Sequence, residues 1–164
     1  MNTEQSAVGE ITLRPESAGD EALLYQLYAD TRAEEMAMVN WDPATKETFV
    51  RMQFMAQRKG YREMFPQAAF SIILAGGQPI GRIVVNRARD EIRLVDLVLQ
   101  PGCRGRGVGT RLLSGLCSEA DAAKKPLRLH VLRGNRARRL YERSGFGPKG
   151  ETGAYEEMER PAKG

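Results

Sequence analysis

Leu97-Val98-Leu99-Gln100-Pro101-Gly102-Cys103-Arg104-Gly105-Arg106-Gly107-Val108-Gly109-Thr110 is the stretch whose reading decides the fold. It leads from a β-rich run, through a Pro-Gly break, into an apolar-periodic segment that predicts a helix over about 107–122. Glycines at 105, 107 and 109 remove side chains and admit backbone angles closed to other residues. One reading is a plain tight turn. The other is an anion cradle, because several backbone N–H groups can point at one spot where the helix dipole adds partial positive charge. With Arg104 and Arg106 beside it, the cradle suits a pyrophosphate best. The strict alternation of the glycines does not fit the G-x-G-x-x-G spacing of a dinucleotide fold. Val108-Gly109 after Gly107 does not fit the Gly-Lys-Ser/Thr of a P-loop either.

Before this segment, Glu10–Arg14 alternates and predicts a strand stopped by Pro15. Ser17 or Asp20 can cap a helix running to about Arg32, with Leu23, Leu24, Leu27 and Tyr28 on one face. A break around Trp41 precedes a second helix, from Pro43 to about Lys59. Phe70–Leu74 and Ile80–Asn86 predict two strands joined by a turn at Gly76-Gly77, and Glu91–Leu99 a third. After the glycine segment, Pro126–Leu132 predicts a strand that alternates Leu127, Leu129 and Val131. Asn135–Ser144 predicts a short helix closed by Gly145, and Ala154–Met158 a last strand. The order β-α-α-β-β-β-α-β-α-β implies a mixed sheet with helices packed on it, antiparallel in its middle and ending in crossover units.

At 164 residues and 41% hydrophobic, the chain fits one domain spanning residues 1–164, with a loose polar segment at residues 1–8. The longest apolar runs are a few residues, too short for a membrane span. Met1–Gln5 lacks the features of a signal peptide, so the expected compartment is the cytoplasm. Cys103 and Cys117 straddle a helix that would separate them by about 15 Å at about 1.5 Å per residue, so free thiols are expected. The single histidine, His130, has no Cys/His cluster around it, and no metal site is expected. The net charge of +4 suggests an anionic partner. Its arginines gather at 104, 106 and 111 and again at 133, 136, 138, 139 and 143. Solvated helix faces, nucleic acid or a phosphorylated cofactor would each suit them.

The second informative segment is Asn135-Arg136-Ala137-Arg138-Arg139-Leu140-Tyr141-Glu142-Arg143-Ser144-Gly145-Phe146, in which Ala137, Leu140 and Tyr141 share a helical face. Tyr141 reads equally as a core aromatic. Here a resemblance enters. Arg104-Gly105-Arg106-Gly107-Val108-Gly109 matches the [Q/R]-x-x-G-x-[G/A] signature of the GNAT acetyltransferase superfamily. Asn135, Ala137, Leu140-Tyr141 and Gly145-Phe146 resemble a second signature of it.

The resemblance implies a mainly antiparallel mixed α/β sheet of about six to seven strands flanked by about four helices, with two strands splayed in the middle. It implies acetyl-CoA as co-substrate and transfer of the acetyl group to a primary amine. It gives the backbone of Gly105, Arg106, Gly107, Val108, Gly109 and Thr110 to the CoA pyrophosphate, with Arg104 at its edge. Leu97, Val98 and Leu99 would take the pantetheine arm, Asn135 and Arg138 would contact the cofactor, and Tyr141 would be the general acid.

The general base is left open by the residues. Asp96 is a carboxylate between Val95 and Leu97, and burial there would raise its pKa. A structural hydrogen bond is the competing reading. His130 is a second candidate, with a satisfied buried histidine as the competing reading. The resemblance would put Glu34, Glu35 and Trp41 at the border of the acceptor site, though they read equally as a solvated helix end. The expected partner is an amine-bearing small molecule or peptide, with no membrane; a homodimer is left open. A protein- or tRNA-directed transferase and a non-catalytic acetyl-CoA sensor are the alternatives. The arginines that fall inside the cofactor motifs count against nucleic acid, and Tyr141 counts against the sensor.

Overall fold

A computed structural model describes residues 9–163, so the expectation of a loose segment at residues 1–8 lies outside the described residues. β1 (Ile11–Pro15) forms one edge of the sheet, where a terminal proline costs no ladder hydrogen bond. α1 (Glu21–Met38) continues six residues past the expected end at Arg32, because Ala33 to Met38 are almost all good helix formers. α2 (Pro43–Met64) starts with proline at its first position, and the Asp42 carboxylate accepts from the Thr45 N–H at 2.7 Å. It runs five residues beyond Lys59.

β2 (Ala69–Ala75) and β3 (Gln78–Arg87) form a hairpin, followed by β4 (Ile92–Leu99). Then come α3 (Val108–Ala123), β5 (Leu127–Leu132), α4 (Ala137–Arg143), β6 (Gly147–Thr152) and β7 (Tyr155–Arg160). The seven strands form one sheet in the order β1-β2-β3-β4-β5-β7-β6, antiparallel throughout except for β4 beside β5. α3 makes the crossover between those two parallel neighbours.

Alternation along the strands divides the interior. Ile73, Ile83, Leu94, Leu127, Leu129 and Met158 point to the face covered by α3, against Leu113, Leu116 and Ala120. Ile72 points the other way, to Leu24 of α1 and Phe54 of α2. The first half of the sheet is thus covered on both faces. On the α1–α2 side of the second half, Arg93, Arg128, His130, Glu157, Glu159 and Lys149 form an ionic ladder across β4, β5, β7 and β6 instead.

β3 and β4 approach unusually closely at one point. A Cβ on Gly81 would sit 2.3 Å from the Val98 carbonyl oxygen and 2.9 Å from a Leu99 methyl. Backbone would have to move, and the backbone that moves is the end of β4. Gly81→Ala is therefore expected to cost about 1–3 kcal/mol, as overpacking does. A melting temperature equal to wild type would show that β4 yields freely at this point.

Cys103 and Cys117 are free. Arg160 makes a two-pronged pair with Asp121 at 2.8 and 3.0 Å, tying β7 to the end of α3. No helix among the described residues is long and apolar enough to cross a membrane.

Candidate active site

β4 and β5 pair only at Ile92–Leu127, Arg93–Arg128 and Leu94–Leu129. Beyond that they part. β4 runs on to Leu99 against β3 alone, and β5 runs on to Leu132 against β7 alone. The parting coincides with a β-bulge. Val84 opposes Asp96 and Val85 opposes Leu94, which leaves Val95 as the extra residue on β4. From Val95 to Leu99, one row of β4 peptide groups therefore faces the gap without a strand partner among the described residues.

The gap leads to the glycine segment. After Leu99 a 3-10 turn (Pro101–Cys103) turns the chain, and Gly105 (φ 74°) and Gly107 (φ 83°) adopt left-handed backbone angles. Arg111 is the first residue whose N–H finds a helical acceptor, the Gly107 carbonyl at 3.0 Å. The N–H groups of Val108, Gly109 and Thr110 have none, as at any helix start. Neither Gly105 nor Gly107 would bring a Cβ within 4 Å of an atom beyond its chain neighbours among the described residues, so this side of the loop is open. A Cβ on Gly109 would lie 3.3 Å from the Leu140 side chain, so this glycine also lets α4 lean on α3. Val108 is buried and anchors the helix start. The Arg104 Nε–H donates to the Leu99 carbonyl at 3.1 Å, which draws that guanidinium back over the end of β4. Open donors, positive φ and nearby guanidinium groups fit a pyrophosphate.

At the gap itself, Tyr141 of α4 is 8% exposed and packs on Phe146 at 5.8 Å between ring centroids. Burial, then the negative charge of Asp96, push its phenol up to about 12. Asp96 makes a 2.9 Å ion pair with Arg82 of β3, whose side chain is 5% exposed. Burial raises the Asp96 carboxyl above the usual range against the opposing pull of Arg82. Tyr61 of α2 stands over the same pair, 5.8 Å from the Arg82 guanidinium carbon, and burial followed by Asp96 raises its phenol as well. The hydrogen bonds nearby run elsewhere, from Arg82 to Asp96 and from the Thr31 hydroxyl to the Tyr28 carbonyl. The hydroxyls of Tyr28, Tyr61 and Tyr141 are left without a protein partner among the described residues.

The structure therefore brings Asp96, Leu97, Val98, Leu99, Tyr141 and the 104–110 loop to the rim of one gap. Asn135 lies beside it, its side-chain oxygen accepting from the Ala137 N–H at 2.9 Å to start α4. Arg138 does not stand free. It is paired with Glu142 at 2.7 Å and with Glu156 of β7. His130 is exposed in the ionic ladder, with its Nδ1 3.0 Å from Arg93. Glu34 and Glu35 are exposed on α1, and Trp41 packs edge-on against Phe49 at 5.2 Å. Arg82 and Tyr61 were not among the expected site residues. Arg82 sits in Ile80-Gly81-Arg82-Ile83-Val84-Val85, and a charge inside an apolar strand is the same signal that singled out Asp96.

Residues 27–158 match the family described as the Acetyltransferase (GNAT) domain. Among solved structures, PaiA N-acetyltransferase from Thermoplasma acidophilum in complex with coenzyme A is similar at 20% identity and a TM-score of 0.67, covering 93% of this chain and 99% of that one. An acetyltransferase from Thermus thermophilus is similar at 21% and 0.67, covering 94% and 98%. The ribosomal-protein-S18-alanine N-acetyltransferase from Escherichia coli is similar at 20% and 0.58, covering 94% and 96%. At these identities the likeness to solved structures is one of fold. Acetyl-CoA is the family's co-substrate. With its split sheet, its glycine cradle and a family match over most of its length, the chain belongs to the GNAT acetyltransferases.

Proposed function

We propose that this protein transfers the acetyl group of acetyl-CoA directly to a primary amine of a small molecule or peptide. The observation that carries the reading is the β4–β5 gap, with the glycine cradle at the end of β4 and the buried groups of Tyr141 and Asp96 beside it. Bound acetyl-CoA supplies an activated thioester carbonyl. The N–H groups of Gly105 to Thr110, with Arg104 and Arg106 around them, hold its pyrophosphate. The unpaired edge of β4 at Leu97, Val98 and Leu99 offers donors and acceptors to the amides of the pantetheine arm, as a neighbouring strand would. The Asn135 amide N–H₂, which has no partner among the described residues, can turn to the cofactor while its oxygen accepts from the Ala137 N–H. Arg138 can join them by exchanging Glu156 for phosphate.

Each remaining task has a residue. An alkyl ammonium has a pKa of about 10, so a proton must leave before the nitrogen can attack. The Asp96 carboxylate, held in place by Arg82, takes it. Peptide N–H groups at the Val95 bulge face the gap, where negative charge gathers on the carbonyl oxygen. The Tyr141 hydroxyl, kept protonated by its raised pKa, donates to the departing sulfur. Transfer is direct, with no covalent enzyme intermediate. Cys103 sits in the turn before the cradle, away from the gap.

The deciding experiment is acetyl-CoA turnover against a panel of amines, with products identified by mass spectrometry. Tight acetyl-CoA binding with no amine acetylated would leave a binding module only. Asp96→Asn is expected to lower kcat roughly 10²-fold or more with acetyl-CoA affinity unchanged. A base must be ionised, so wild-type kcat should rise with pH through the raised Asp96 pKa, and that acid limb should flatten in the variant. The substitution also leaves Arg82 buried without a counter-charge. The double variant Asp96→Asn/Arg82→Gln therefore serves as the folding control. Full activity beside a lowered melting temperature would make Asp96 a structural anchor.

A further inference from the structure

On the α1–α2 side of the sheet, beside the Arg82–Asp96 pair, stand groups that the transfer chemistry does not use. Tyr28 comes from α1, Tyr61 from α2 and Tyr155 from the first position of β7. They stand close enough to feel one another. Burial raises the phenols of Tyr28 and Tyr61, and Tyr155 pushes both in the same direction. The Tyr61 ring reaches the Arg82–Asp96 pair at one end of this wall. At the other end is Arg32, one helical turn beyond Tyr28, with its guanidinium carbon 6.0 Å from the Tyr28 ring centre. One of its terminal nitrogens is 3.2 Å from Glu35, a largely exposed carboxylate that aims the group without burying the pair. The Arg32 Nε is buried and has no hydrogen-bond partner among the described residues.

A buried guanidinium N–H without an acceptor is costly, and its planar fork is shaped for a carboxylate. We infer that the acceptor is a small molecule carrying both a primary amine and a carboxylate, the amine held between Tyr61 and Asp96 and the carboxylate by Arg32. The Tyr28 and Tyr155 rings flank the chain between the two ends, with aromatic surface for its methylenes and hydroxyls for its polar groups. The same arrangement rejects a diamine, because a second ammonium would have to sit against Arg32. The inference rests on the amine-acetylation reading above, and the test separates the two.

Acceptors are offered in pairs that share one alkyl amine with and without a carboxylate: 4-aminobutyrate against propylamine, and lysine against cadaverine. Wild type should favour the carboxylate-bearing member by about 10- to 100-fold in kcat/KM, the range of a hydrogen bond to a charged group. Arg32→Gln should erase that preference by raising KM for the carboxylate-bearing acceptor, with kcat and the rate on the plain amine retained. Arg32→Lys should recover part of it, and melting temperatures check that all three proteins fold. Calorimetric binding of 4-aminobutyrate and lysine to the CoA-loaded protein gives a readout without turnover, and it should weaken in Arg32→Gln. Equal use of plain amines or diamines by wild type, or an unchanged KM in Arg32→Gln, overturns the inference while leaving acetyl transfer intact. If no amine is acetylated at all, the transfer reading fails. The acceptor inference then falls with it, whatever calorimetry reports of Arg32.

Discussion

Tyr141→Phe is expected to lower kcat by about 10²–10⁴-fold, or about 3–5 kcal/mol of activation free energy, with little change in melting temperature. The substitution removes one oxygen and keeps the ring. The Phe146 contact at 5.8 Å and the buried position of the side chain therefore survive. The hydroxyl has no protein partner to lose among the described residues. An ordinary buried phenol would behave in the opposite way, giving up about 1 kcal/mol of folding stability and little rate. The two quantities to measure are kcat at saturating acetyl-CoA and the thermal midpoint. A near-normal kcat would deprive the departing sulfur of its proton donor and send the search to Tyr61 or solvent.

Gly107→Glu should abolish detectable acetyl-CoA binding in a protein that still folds. Gly107 lies at φ 83°, where a residue with a Cβ is strained by about 1–2 kcal/mol. That is small beside the roughly 5–15 kcal/mol that holds a domain together. The added side chain meets no protein atom within 4 Å of its Cβ, so it projects into the open side of the loop and places a carboxylate where the phosphates belong. Gly107→Ala separates the two causes, since it carries the strain without the charge and should bind with an intermediate Kd by calorimetry. Undiminished affinity in a folded Gly107→Glu protein would move the phosphate site off this loop altogether.

The cradle and the central strands are legible in the sequence because glycine spacing and strict alternation are local signals. Leu127, Leu129 and Val131 fall on one buried face as their alternation requires. β6 was not legible. Gly147-Pro148-Lys149-Gly150-Glu151-Thr152 contains few strand formers and is mostly exposed, and only its pairing with β7 makes it a strand. The ends of α1 and α2 were misjudged for a related reason. Helix-forming residues without an apolar stripe carry no periodicity, yet they extend a helix already begun. That shortfall hid Tyr61, which lies two residues past the expected end of α2. Asp96 stood out, but its partner did not, because a cross-strand ion pair depends on the register between β3 and β4 and on a bulge no composition reveals. Arg138 shows the limit of motif reading from the other side. Its position follows the motif, but Glu142 and Glu156 decide where its charge is directed.

The joint between β4 and β5 is three residue pairs long, and what it leaves open beyond them is reached from different elements. The loop that fits the nucleotide end of the donor comes from β4 and α3. On the reading inferred above, the acceptor's carboxylate and chain meet Tyr28, Arg32 and Tyr155 of α1 and β7, elements that share no residue with that loop, while its amine meets Tyr61 of α2 and Asp96 of β4. Substitutions at well-separated positions act independently of one another. On that reading, substitutions at Tyr28, Arg32 or Tyr155 would change the acceptor without retuning the hold on the donor. Donor and acceptor would then share only the open end of β4, and that short edge is what such changes leave alone.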